Sequence, residues 1–413
     1  MNTARAWLIL GALLASSPAA AHEGDTFRPY VSAGYYRDSN LFRLADGESP
    51  GTRREDSYAL YQAGINVDWK PGRQQFLVDV SQTRIRYDRN TFLDFEGEDT
   101  RATWNWRLGN RLSGNVGLTQ SSNQSNFDSV GLINNQVDRE RRFARAEWEF
   151  HPRWRVGGGA ETSENTNSDP SQLSQNFTQD AYDLGVTYRT PKGSSLRALI
   201  RKTEAEYPVQ QTLRTRFIFP IGVFLDVADS SFDQTEYLLV GEWRVSGKLN
   251  VRGQTGQVSR EYRNELKNPL TGFAILVNRP DYSGLTLRGT ADWFPTAKTL
   301  LSLTAYQELG GANDINASSV EKRGAKLDAV WLVREKWRLN SSLSMENRDF
   351  QGDSGVGGPV RSDDTRSLSL SVGYTPISAI SIDLGVQAGR RDSNFVNEEF
   401  DYRTVFANVR ADF

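Results

Sequence analysis

The chain has 413 residues, with 49 Lys and Arg against 51 Asp and Glu, a formal net charge of -2. That balance excludes the basic footprint of a nucleic-acid binder, and the absence of cysteine excludes disulfides, thiol chemistry and thiolate metal sites. With 38% hydrophobic residues and a mean hydropathy of -0.57, the chain is too polar for a large conventional α/β core.

In chain order, the first element is an export signal. Arg5 precedes an apolar run over residues 6–15, followed by Ser16-Ser17-Pro18 and a small-residue site, Ala19-Ala20-Ala21. This reads as a secretory signal peptide over 1–21, too short to span a membrane, with cleavage after Ala21. Residues 22–413 read as a single domain. No later apolar stretch approaches the roughly 18 residues that a membrane helix needs.

The rest of the chain is a series of alternating apolar and polar runs. They cover 27–37, 56–69, 74–87, 97–108, 112–124, 139–150, 154–165, 179–189, 194–205, 233–245, 248–261, 282–294, 298–309, 320–334, 337–349, 364–375, 379–391 and 400–413. Ile380, Ile382, Leu384, Val386 and Ala388, for example, alternate with Ser381, Asp383, Gly385, Gln387 and Gly389. Each run has about the length of a tilted membrane strand. The fold class expected is all-β: a transmembrane, antiparallel, up-and-down β-barrel of about eighteen strands. A two-sheet soluble sandwich would also alternate, but it does not need so many strands.

The connections alternate between two kinds. Tight turns such as Lys70-Pro71-Gly72-Arg73, Gly109-Asn110-Arg111 and Thr190-Pro191-Lys192-Gly193 carry the Pro and Gly that fixed or positive φ requires. The others are longer and polar. Short periplasmic turns and long extracellular loops are the asymmetry of an outer-membrane barrel, so the expected location is the bacterial outer membrane. Trp69, Trp154, Trp243, Trp293 and Trp337 all sit beside tight turns, with Trp106, Tyr188 and Tyr374 close by. They read as an aromatic girdle at the periplasmic interface.

Two outer loops are unusual. Loop 206–232 contains Phe217-Ile218-Phe219-Pro220-Ile221-Gly222-Val223-Phe224-Leu225, and loop 262–281 contains Gly272-Phe273-Ala274-Ile275-Leu276-Val277. Such apolar runs extend strands above the membrane, fold inward as a constriction, pack on each other as a cap, or dock a partner. A small repeat recurs where strands exit: Asp38-Ser39-Asn40, Asp88-Arg89-Asn90 and Asp392-Ser393-Asn394. Its Asp and Asn suit capping of the turn; the alternative is calcium or a divalent bridge to lipopolysaccharide.

The faces opposite the apolar ones would line the lumen. Candidate pore-lining residues are Arg101, Arg107, Arg145, Arg197, Arg244, Arg252, Arg288, Arg338, Asp383 and Arg410. Rings of Arg favour anions in a pore, whereas pairing with acids across neighbouring strands would only stiffen the wall. No catalytic residue, metal site or cofactor is expected. His22 and His151 are the only histidines, and neither lies on a wall beside a serine or aspartate pair. Phe413, at the end of an alternating run, reads as the assembly signal of the closing strand, which should pair with residues near 27–37.

The segment Tyr35-Tyr36-Arg37-Asp38-Ser39-Asn40-Leu41-Phe42-Arg43 resembles the first strand of EpsL-like outer-membrane β-barrels, encoded with exopolysaccharide biosynthesis operons and often linked to exosortase systems. The resemblance implies a channel exporting an exopolysaccharide. The alternatives are a general or solute-specific porin and a non-conducting surface-anchoring barrel. The partners expected are outer-membrane lipid and lipopolysaccharide, the barrel assembly machinery, polysaccharide and periplasmic export components, and no nucleic acid.

Overall fold

The computed structural model describes residues 25–45, 53–127, 133–218, 222–267, 274–311, 317–352 and 360–413. The expected signal peptide lies outside the described residues, as do Phe219, Pro220, Ile221, Gly272 and Phe273 of the two apolar loop runs.

The described strands are, in order, β1 (Phe27–Asp38), β2 (Asp56–Trp69), β3 (Gln75–Tyr87), β4 (Phe95–Leu108), β5 (Leu112–Gln124), β6 (Gln136–His151), β7 (Trp154–Asn167), β8 (Phe177–Arg189), β9 (Ser195–Glu206), β10 (Gln211–Ile218), β11 (Gly222–Ala228), β12 (Phe232–Ser246), β13 (Leu249–Tyr262), β14 (Ala274–Leu276), β15 (Tyr282–Thr296), β16 (Thr299–Gly311), β17 (Ala317–Arg334), β18 (Trp337–Gly352), β19 (Ser362–Ile377), β20 (Ile380–Ser393) and β21 (Phe400–Asp412). All except β10, β11 and β14 belong to one 18-stranded sheet. Each wall strand pairs antiparallel with the next. β1 also pairs with β21, from Tyr30 opposite Asp412 to Asp38 opposite Thr404. The sheet therefore closes on itself and has no edge to satisfy, the condition for strands to cross a bilayer.

Every alternating run of the sequence is a wall strand. The main differences lie at the loop end, where β4, β6, β7, β8, β16, β17, β18, β19 and β20 run two or three residues past the expected bounds. Backbone pairing carries on there after the apolar alternation has stopped. The turns behave as their residues require: Gly72 and Gly109 take φ of 65° and 58°, closed to most side chains.

Cross-strand register separates the two faces. One bears Tyr35, Tyr61, Leu184, Tyr237, Leu287, Leu303, Leu370, Leu384 and Val405, all exposed although apolar. Such a stripe facing water would be unfavourable, and transfer to hydrocarbon is worth about 1.5–3 kcal/mol for each large side chain. This is the lipid-facing side. All nine tryptophans after Trp7 lie on it, near the tight turns. Trp337 meets Tyr374 at 4.5 Å, Trp154 meets Tyr188 at 5.0 Å, and Trp69, Phe76 and Trp104 stack in a row at 5.3 and 5.8 Å. At Gly114 a Cβ would come within 2.1 Å of the Arg145 carbonyl and 2.5 Å of the Trp106 ring, so that position must stay bare.

The loop runs do not extend the wall. β10 and β11 form a hairpin, and β14 joins β11 in parallel through Leu225–Ala274, Asp226–Ile275 and Val227–Leu276. The two apolar loops thus pack on each other, the third of the four readings open from sequence.

Candidate functional site

The inner wall is the candidate site. Register places Arg101, Arg107, Arg145, Arg197, Arg244, Arg252, Arg288, Arg338, Asp383 and Arg410 on the face opposite the apolar stripe. They are spread round the wall rather than gathered in one ring, and most are paired. Arg145 reaches Asp183 at 2.6 Å, and Arg197 reaches Asp183 at 2.9 Å and Glu147 at 3.2 Å. Arg252 meets Asp292 at 2.7 Å, Arg288 holds Glu308 through two nitrogens at 2.6 and 2.7 Å, Arg338 meets Asp383 at 3.1 Å, and Arg410 meets Asp412 at 2.7 Å. Arg244 lies 3.8 Å from Glu242. Among the described residues, Arg101 and Arg107 make no ion pair.

The partners in these pairs are not equally placed. A carboxylate on its short stem stays near the wall, while the longer guanidinium stands away from it. The Arg252 and Asp292 side chains are 56% and 17% exposed, those of Arg145 and Asp183 32% and 10%, and those of Arg141 and Glu161 48% and 19%. Arg155 and Arg197 depart from this, 24% and 14% exposed beside Glu149 and Glu147 at 31% and 26%; in the other pairs the group that projects from the wall is the guanidinium. A packed interior would have buried these mid-strand guanidiniums. Their exposure fits the water-filled channel that a barrel of 16–18 strands encloses.

One stretch of the inner wall is hollowed. A cavity of about 550 Å³ is lined by Arg155, Arg189, Arg197, Arg252 and Arg288, with Glu147, Glu242, Gln254, Ser195 and Thr187 among them. Arg155 and Arg189 are not among the candidates named from sequence. Their signal is nonetheless local: each adjoins an outward-facing aromatic, Trp154 and Tyr188, so period two turns it inward.

At the loop end, inner-facing residues are covered on two sides. On one, Leu41 and Phe42 from the β1–β2 loop pack with Tyr87 and Leu93 against Tyr58 and Ile85. Asp38 sets this fold-back. It accepts from the Asn40 backbone N–H at 2.8 Å, from two Arg43 nitrogens at 2.9 Å each, and from the Thr404 hydroxyl at 2.8 Å. Capping therefore holds at Asp38. At the second repeat the capping carboxylate is Asp56, which accepts from the Asn90 backbone and side chain at 3.0 and 2.8 Å, while Asp88 takes the Tyr35 hydroxyl at 2.7 Å. At the third, Asp392 pairs with Arg390, and Ser393 caps through the Phe395 N–H at 3.1 Å.

On the other side, Ala205, Phe232 and Tyr262 are buried with Tyr207 beneath the three-stranded cap. Asp229 and Ser231 are wholly buried, and the Lys267 ammonium donates to the Ser231 hydroxyl at 2.7 Å and lies 3.3 Å from Asp229. Arg279 donates to Gln211 at 2.6 Å, which ties the second loop to β10. Burial pushes the Tyr207 phenol above its ordinary range. Among the described residues, no group of three or more His, Cys, Asp or Glu is placed to hold a metal ion.

Residues 279–413 match the family model described as "Putative beta-barrel porin 2". The chain is an outer-membrane β-barrel, porin-like in architecture. The model names a porin rather than the exopolysaccharide-linked barrels that the first strand resembles. Among solved structures, the chain is similar to the outer membrane protein opdK from Pseudomonas aeruginosa, at 11% identity over 94% of this chain and 99% of that one, with a TM-score of 0.48. It is also similar to OccK2 (OpdF) of the same organism, solved with glucuronate, at 12% identity over 94% and 98%, with a TM-score of 0.49. Acinetobacter baumannii OccAB3 aligns at 11% identity over 95% and 100%, with a TM-score of 0.47. No curated protein matches the chain.

Proposed function

We propose that the barrel is a passive channel for small polar solutes with a preference for anions. The observation that carries this reading is the projection of guanidiniums such as Arg252 and Arg288 from an inner wall whose carboxylates Asp292 and Glu308 lie recessed beside them, at a cavity also lined by Arg155, Arg189 and Arg197. A permeant anion meets cations first, and weak contacts at several places let it leave again. The porin description of residues 279–413 supports a channel. Polysaccharide export, which the first-strand resemblance implies, has no such support.

In planar bilayers under a KCl gradient, the reversal potential should have the sign of chloride permeation. In liposome swelling, small sugar acids should enter faster than neutral sugars of the same size. Cation selectivity or the absence of conductance would overturn the reading.

We also propose that Phe413 is the recognition signal for assembly. It continues the outward face of β21, and its backbone N–H donates to the Pro29 carbonyl at 2.9 Å, across the seam. Phe413→Ala should reduce the heat-modifiable, folded barrel in the outer membrane severalfold without changing synthesis. An unchanged folded fraction would defeat this.

A further inference from the structure

With tight turns on the periplasmic side, the loop end of the outward face lies at the outer leaflet. There the apolar stripe of each strand gives way to charge. On β17, β19, β20, β21 and β1, the first charged outward residue above the stripe is an arginine: Arg323, Arg366, Arg390, Arg403 and Arg37. β18 contributes Asn347 at the same level, opposite Arg323. Register makes these one continuous row. Arg366 lies directly opposite Arg390, Arg403 is the diagonal neighbour of Arg390, and Arg37 the diagonal neighbour of Arg403.

Like charges directly opposed on one face are destabilising unless an anion sits between them. Arg390 is paired with Asp392 at 2.6 Å, Arg323 with Glu321 at 2.9 Å, and Arg37 only loosely with Glu55 at 3.8 Å. Among the described residues, the Arg366 and Arg403 side chains have no ion-pair partner. Along each strand the acidic residues of the same face, Glu321, Asp349, Asp364, Asp392 and Asp401, lie two residues farther out, with Asp401 directly opposite Arg390. The arginines therefore form the tier nearest the hydrocarbon, at the level of lipid headgroups.

A second observation lies directly beneath. The outward face of the same strands is indented where Ala329, Ser341 and Ala407 sit among Tyr35, Leu370 and Leu384, leaving an apolar groove of about 1140 Å³ that Arg37 also lines. Small side chains beside large ones open a furrow that an acyl chain fills. We infer that this sector of the wall is a binding site for a phosphorylated glycolipid of the outer leaflet, lipopolysaccharide. Arg366 and Arg403 take its phosphates as charge-assisted, fork-shaped pairs, and the groove takes an acyl chain. The site lies outside the barrel and does not depend on conduction.

The test is native mass spectrometry of the full-length barrel in detergent, titrated with bisphosphorylated lipid A. The wild-type protein should retain one lipid A that millimolar inorganic phosphate does not displace. Arg366→Gln with Arg403→Gln should weaken retention at least tenfold, while Arg142→Gln with Lys202→Gln, on the far wall, should leave it unchanged. Ala329→Phe fills the groove without altering charge, and should also weaken retention; it decides the matter if the double variant does not fold. Equal binding by wild type and Ala329→Phe, displacement by inorganic phosphate, or equal loss in the far-wall control would overturn the proposal.

Discussion

Arg252→Glu combined with Arg288→Glu should convert the anion preference of the channel into a cation preference. Both side chains project from the inner wall, 56% and 49% exposed, and both line the basic cavity. Two unit charges 4 Å apart interact by about 1 kcal/mol even in bulk water. Reversing two such charges near the path of an ion changes the ratio of anion to cation permeability by on the order of tenfold or more. The new carboxylates would stand beside Asp292 and Glu308, which have lost their partners, so the local charge swings further than the two substitutions alone. Concentrated salt should shrink the effect, because the screening length falls to about 3 Å at 1 M. Reversal potentials at low and high KCl measure both points. A companion variant, Arg252→Gln with Asp292→Asn, removes a pair without changing net charge, and should shift selectivity far less. If it shifts selectivity as much as the reversal, pore shape rather than the projecting cations sets the preference.

The wall of this barrel was legible because period two is a local signal. Each strand needs a greasy face for lipid and a wet face for the lumen, and Ile382, Leu384 and Val386 announce this without reference to any neighbour. The inward direction of the ten candidate residues followed from the same alternation. Their pairing did not. Arg145 meets Asp183 two strands away, and Arg197 reaches Glu147 across three, so the contacts depend on register and on long side chains bridging over glycines such as Gly157 and Gly159. The cap was hidden for another reason. Its β11–β14 pairing is parallel and joins segments about fifty residues apart, and a contiguous apolar run carries no period to say which face is buried. The outward arginine row was hidden too, since it appears only when strands are laid side by side in register.

Lys267→Met should release the cap while leaving the wall folded. Asp229 is fully buried, accepting from the backbone N–H groups of Ser231 at 3.0 Å and Glu265 at 3.3 Å, and Lys267 is its counter-charge. The same ammonium donates to the Ser231 hydroxyl and to the Tyr207 carbonyl, so it links the 262–281 loop to both ends of the 206–232 loop. Removing one partner of a buried ion pair costs about 3–5 kcal/mol, because the remaining charge is left without compensation. That is comparable to the whole stability expected of a three-stranded sheet standing alone. The closed wall, with its continuous ladder of hydrogen bonds, does not draw on this pair. Tryptic cleavage at Arg214 or Arg216 should therefore rise at least tenfold in Lys267→Met, while heat-modifiable mobility of the barrel stays as in the wild type. Asp229→Asn added to Lys267→Met should restore part of the protection, since no charge is then left buried, while the single amide oxygen keeps the shorter hydrogen bond from Ser231 N–H and gives up the one from Glu265. Equal protease resistance in wild type and Lys267→Met would show that the parallel β11–β14 pairing alone holds the cap. Loss of the folded barrel would show that cap and wall are one cooperative unit.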